Sequence, residues 1–119
     1  MKRTIILLFV TILTMSSCKD SSPFEGTWSG TFSGNDSGTW LVLIDSDGKV
    51  SGTAHSNSSN DYAVEGIVTS NGELSATLGT TSSGGQFSGV LDDNGMGSGT
   101  WSTPIWFITY DGTWIGSKQ

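Results

Sequence analysis

The chain has 119 residues, enough for one folded domain, and its single cysteine excludes a disulfide framework. Eleven acids but only three bases (Lys19, Lys49 and Lys118) lie beyond residue 17, a formal balance of −8 there. Such a surface repels phosphate backbones and excludes nucleic acid as a partner.

Lys2 and Arg3 give the chain a positive start, and an apolar run follows from Ile5 to Met15. Crossing a bilayer takes about 20 apolar residues, so this shorter run reads as a secretory signal peptide over residues 1–17. Met15-Ser16-Ser17-Cys18 resembles the lipobox of bacterial lipoproteins, with Met15 where that motif usually has Leu. The resemblance implies lipidation of Cys18, which becomes the first residue of the mature protein. It also implies a membrane partner reached through that lipid, and a place in the cell envelope anchored to the outer membrane. Diacylation with an acylated amine supplies more than one chain, enough for stable anchoring. Lys19-Asp20 is similar in part to the surface-export tag of Bacteroidota lipoproteins, which implies exposure at the cell surface. Residues 18–23 are then a linker, and residues 24–119 a single domain.

In that domain, residues alternate with a period of two, apolar or Gly on one face and Ser or Thr on the other. Trp28, Gly30 and Phe32 mark the first predicted strand, and Trp40, Val42 and Ile44 the second. Val50, Gly52 and Ala54 mark the third, Tyr62, Val64, Gly66 and Val68 the fourth, and Leu74, Ala76 and Leu78 the fifth. Phe87, Gly89 and Leu91 follow, then Gly97, Gly99 and Trp101, then Gly112, Trp114 and Gly116. Gly-Thr-Trp recurs at 26–28, 38–40, 99–101 and 112–114. Glycine weakens a strand, so something requires it on the apolar face. Either rings from neighbouring strands need the room in a narrow interior, or the strands bend there to close. Both predict a barrel.

Ser46-Asp47-Gly48, Ser70-Asn71-Gly72 and Asp93-Asn94-Gly95 have the form of type I turns closed by a left-handed Gly. They set Ile44 opposite Val50, Val68 opposite Leu74, and Leu91 opposite Gly97, so apolar or small residues face each other throughout. The connections Gly34–Gly38, Ser56–Asp61 and Gly79–Gly85 are longer. Pro104 breaks pairing, so Ile105–Tyr110 reads as a loop, an extra strand or the start of the eighth strand. The expected fold is all-β, an eight-stranded antiparallel up-and-down β-barrel. The run of local hairpins argues against the Greek-key crossings of a sandwich. A meander puts the tight turns and both termini at one rim. The six-residue linker reaches about 20 Å, so that rim faces the membrane. Phe32, Trp40, Tyr62, Phe87 and Trp101 fall nearer the other rim, while Trp28, Trp114 and the aliphatic residues fall nearer the membrane.

An eight-stranded barrel is either filled by side chains or holds one small ligand, and both stay open. If hollow, its ligand-binding set is Phe32, Trp40, Tyr62, Phe87 and Trp101, with Trp106, Phe107 and Tyr110 as a lid. Such rings suit a sugar, a flat ring or an apolar tail. If filled, the module serves protein interaction or envelope structure, and the outward Leu41, Leu43, Ile67, Val90 and Ile115 offer a contact surface. Catalysis is not expected. His55 points outward with Ser51 and Thr53, Glu65 points outward opposite Ser51, and no inward carboxylate is visible for a hydrolase pair. No metal or cofactor is expected either. Asp45-Ser46-Asp47-Gly48 begins like a calcium loop, but Ser56 stands where the twelfth-position Glu would be.

Gly26-Thr27-Trp28 followed by a meander resembles the opening of the calycin superfamily, whose lipocalins begin with Gly-x-Trp and avidins with Gly-Thr-Trp. Gly48–Ser56 is similar to the avidin second hairpin and third strand, with Ala54 at the family's Tyr position and Ser56 at its Ser. The avidin first-strand Asn and Ser have no counterpart after Trp28. The resemblance therefore implies the architecture and not biotin binding.

Overall fold

A computed structural model describes residues 21–58, 61–79, 84–105 and 107–119. The expected signal segment (residues 1–17), Cys18 and Trp106 lie outside the described residues. The period-two pattern becomes eight strands: β1 (Gly26–Gly34), β2 (Gly38–Ile44), β3 (Lys49–Ser56), β4 (Asp61–Val68), β5 (Glu73–Leu78), β6 (Gly85–Leu91), β7 (Met96–Ile105) and β8 (Ile108–Lys118). Each pairs with its sequence neighbours, and β8 returns to β1 to close the barrel. The registers match the expected ones: Ile44 faces Val50, Val68 faces Leu74, and Leu91 faces Gly97. A one-residue slip would turn every inward ring to solvent.

The three tight turns share one construction. Gly48, Gly72 and Gly95 take φ of 83°, 91° and 81°, the left-handed conformation that a side chain resists. The residue opening each turn anchors it. The Asp45 carboxylate accepts from the Asp47 and Lys49 amides at 2.8 and 2.9 Å, and Asp92 does the same for Asn94 and Met96. Each turn glycine then bonds the next hairpin. The Gly48, Gly72 and Gly95 carbonyls accept from the amides of Val68, Leu91 and Lys118, all at 2.8 Å. This draws one rim of the barrel inward. The chain arrives at the same rim, where the Ser22 amide donates to the Ser46 carbonyl at 2.8 Å. Phe24 is buried there, its ring centroid 6.5 Å from that of Trp28.

The expectation that Pro104 breaks pairing is corrected. The β7–β8 ladder runs through Pro104–Thr109 to Ile105–Ile108, so Ile105 ends β7 and 108–110 begin β8. Pairing of β6 with β7 has already ended at Ser102, and that of β1 with β8 at Gly112. Among the described residues Pro104 therefore sits on a strand edge with no ladder partner on its outer side, where a missing N–H costs no ladder bond. The end of this hairpin overhangs the rim opposite the tight turns.

Candidate functional site

The site is what the rings leave unfilled. Indoles lie along the inner wall and reach across neighbouring strands. Trp114 on β8 crosses β7, and its Nε1 donates to the Ser88 carbonyl on β6 at 2.9 Å. Trp101 on β7 crosses β8 to donate to the Ser33 carbonyl on β1 at 3.1 Å. Trp40 on β2 donates to the Thr31 carbonyl on β1 at 3.3 Å. Glycines make these paths possible. A Cβ at Gly99 or Gly89 would come within 2.6 Å of the Trp114 ring, a Cβ at Gly112 within 2.7 Å of Trp101, and a Cβ at Gly116 would collide with Trp40. Other inner glycines mark close backbone approach, as at Gly52, whose Cβ would meet the Val42 Cα at 2.6 Å. Room for neighbouring rings, the first reason offered by the sequence, therefore operates at Gly89, Gly99, Gly112 and Gly116, where close backbone approach acts as well.

The rings form a stack that seals the middle of the barrel. Phe87 lies face to face with Trp114 at 4.7 Å and 15°, and Trp40 meets both edge-on at 5.6 and 5.4 Å. Such pairs add about 0.5–1.5 kcal/mol each beyond their buried area. Trp114 thus belongs to this central layer and not to the tight-turn half, a correction to its expected depth. Its backbone already pairs with Phe32 in the β1–β8 register, and the indole reaches on across β7 to Ser88.

Above the stack lies a cavity of about 260 Å³ at the loop end. Phe32, Tyr62, Phe87, Trp101 and Tyr110 line it, as do Ala54, Leu78, Thr103, Asp36 and Ser58. Five of the eight residues expected for the site and its lid are thus brought together. Trp40 is not among them; it is buried beneath, against Phe87 and Trp114. Trp106 lies outside the described residues. Of the expected lid, Tyr110 lines the cavity opposite its register partner Thr103, whereas Phe107 is 100% exposed and points away from any packing. The barrel is therefore filled below and hollow at its mouth.

Asp36 corrects the expectation that no carboxylate reaches the interior. It sits in the β1–β2 connection at the mouth, half-buried. Its Oδ2 accepts from Ser56 Oγ at 2.6 Å, and its Oδ1 accepts from Ser58 Oγ at 2.9 Å and the Ser37 amide at 2.8 Å. Burial pushes the carboxyl upward, but these three donors outweigh it and hold Asp36 below the usual carboxylate range. The group is ionised at neutral pH. Ser56 carried the sequence signal for it. Its parity with Val50, Gly52 and Ala54 points inward, it is 2% exposed, and a buried hydroxyl needs a partner.

Elsewhere the outer face is as expected. Leu41, Leu43, Ile67, Val90 and Ile115 are all more than half exposed. They are dispersed, because the register sets Ser, Thr, Lys or Glu beside each one on both sides. His55 is exposed, with Nδ1 2.5 Å from the Asp61 carboxylate across the β3–β4 ladder. Among the described residues no three His, Cys, Asp or Glu converge to hold a metal ion. Compared with known proteins, the chain matches no protein-family model, and no curated protein aligns with it significantly.

Proposed function

We propose that this protein is a binding module that takes a small, ring-bearing ligand into the mouth of its barrel and is tethered to the cell envelope through Cys18. The observation that carries the binding half is the cavity itself. A sealed apolar cavity of roughly 150 Å³ accepts benzene, so about 260 Å³ has room for a fused ring with a short arm. Aromatic walls with a few placed polar groups are the usual make-up of a small-molecule site. A hydrolytic reading has less support, because among the described residues Asp36 is the one acid lining the cavity and acid–base cleavage of a glycoside needs a pair. A protein-docking reading has less support as well, given the dispersed outer apolar residues.

The tether half is supported by direction. The chain joins the barrel at the tight-turn rim through Ser22, opposite the cavity. A linker of about 20 Å from a lipidated Cys18 would hold that rim against the membrane and leave the mouth facing outward.

Ala54→Phe tests the binding half by filling the cavity from β3, with Leu78→Phe as a second variant should the first fail to fold. Small ring compounds should shift the tryptophan emission of the wild-type protein and leave that of the filled variants unchanged. An equal response from a folded, filled variant would refute the site.

A further inference from the structure

We propose that the ligand of the mouth cavity is an organic cation, a ring- or cage-bearing amine whose ammonium group meets Asp36. This rests on the reading of the cavity as a ligand site and adds its charge. Among the described residues, Asp36 is the only charged one lining the cavity. The described lysines are far from it. Lys49 follows the first tight turn, and Lys118 bonds the third through its amide, both at the opposite rim. His55 points outward and is engaged by Asp61. The carboxylate therefore faces the cavity without a basic partner among the described residues.

Its hydroxyl and amide donors position this charge but do not neutralise it. A carboxylate has about four acceptor sites; Ser56, Ser58 and the Ser37 amide occupy three, which leaves a site on Oδ2 for a ligand N–H. The remaining wall suits a cation as well. Aromatic faces attract ammonium groups within about 6 Å of the ring centre, and Tyr62, Trp101 and Tyr110 line the same space. The formal charge of −8 beyond residue 17 would speed the approach of cations.

Other occupants fit less well. An anion would meet Asp36 with no compensating base. A calcium ion takes six to eight oxygens, and no second acid joins Asp36 around the cavity. A sugar needs many polar partners, whereas most of the lining is ring or aliphatic carbon.

Three molecules of one shape separate the possibilities: adamantylmethylamine, adamantylmethanol and adamantane carboxylate. None absorbs where tryptophan is excited. Each is titrated at pH 7 into the full chain in non-ionic detergent, with tryptophan emission as the readout. The amine should bind at least about tenfold tighter than the alcohol, the scale of one charge-assisted hydrogen bond, and the carboxylate weakest. Asp36→Asn should bring amine and alcohol to within about twofold of each other, with the alcohol unchanged. Equal binding of amine and alcohol to the wild-type protein would overturn the cation proposal and leave the cavity reading intact. No response to any of the three, with none to other small rings, would overturn both.

Discussion

Replacing Gly99 with Ala separates packing from intrinsic preference by the sign of its effect. If glycine here were a flexible strand residue, Ala would stabilise the fold by about 0.4–1 kcal/mol through the unfolded chain. The structure requires the opposite. A Cβ at Gly99 would lie 2.6 Å from the Trp114 Nε1 and 2.6 Å from the Gly89 Cα, and would collide with the Ser88 carbonyl. Two of these obstacles are backbone, so the indole must move. Overpacking of this kind costs about 1–3 kcal/mol. Displacing Trp114 also removes its hydrogen bond to Ser88, worth about 1 kcal/mol, and its stacking on Phe87, worth about 0.5–1.5 kcal/mol. The expected loss is about 3–5 kcal/mol, or roughly 15–30 °C in Tm for a domain of this size. Differential scanning calorimetry reads it without relying on the perturbed tryptophan. Ser98→Ala, the outward neighbour, should change stability by less than about 0.5 kcal/mol. A Gly99→Ala protein as stable as the wild type would refute the claim that inner glycines exist to admit rings.

Two further outcomes follow from the same geometry. Phe24→Ala should cost about 3–5 kcal/mol in urea unfolding, the usual range for emptying a buried phenyl site, while leaving ligand titrations at the opposite rim unchanged. Asp36 should also make an acid-sensitive contribution to stability. Its folded pKa lies below the usual 3.8, so its contribution is fully present above the unfolded value and lost as pH falls through the folded one. The stability gap between wild type and Asp36→Asn should therefore narrow from pH 5 downward. A gap that stays constant down to pH 2 would show that the fold does not favour the ionised carboxylate.

Much of this molecule was legible in its sequence because a period of two leaves little freedom. Once the three Gly-closed turns fix their registers, the inward identity of Tyr62, Phe87 and Trp101 follows without knowledge of packing. Depth was less legible. Trp40 stands beside Ala54 in register, yet only Ala54 lines the cavity, since the indole runs to the Thr31 carbonyl and over Gly116. Side-chain direction decides this, and alternation carries no information about it. Asp36 was illegible for a different reason. It lies in a connection, where no periodicity assigns a face, and only the buried Ser56 hydroxyl hinted at a partner. Pro104 misled because the rule against proline in strands concerns interior ladders, and β7 has become an edge by that point.

The two rims differ because their connections differ, and this asymmetry explains why the cavity lies where it does. At the tight-turn rim, each turn glycine is bonded to the next hairpin, the wall is drawn in, and Phe24 and Trp28 complete the filling. At the other rim the connections are longer and the β7–β8 hairpin overhangs, so the wall stays wide. Filling it would need large inward side chains, yet Ala54 occupies a central inner position there. Strands favour larger β-branched or aromatic residues at such a site. Unfilled volume in a dry core costs about 24 cal/mol per Å³; for 260 Å³ that is about 6 kcal/mol, an upper bound that the opening to solvent lowers. A single-domain protein has only about 5–15 kcal/mol of stability in total. A valine or leucine at position 54 would recover part of that stability, and the chain forgoes it at the one place where an ionised acid, four aromatic side walls and free access to solvent coincide.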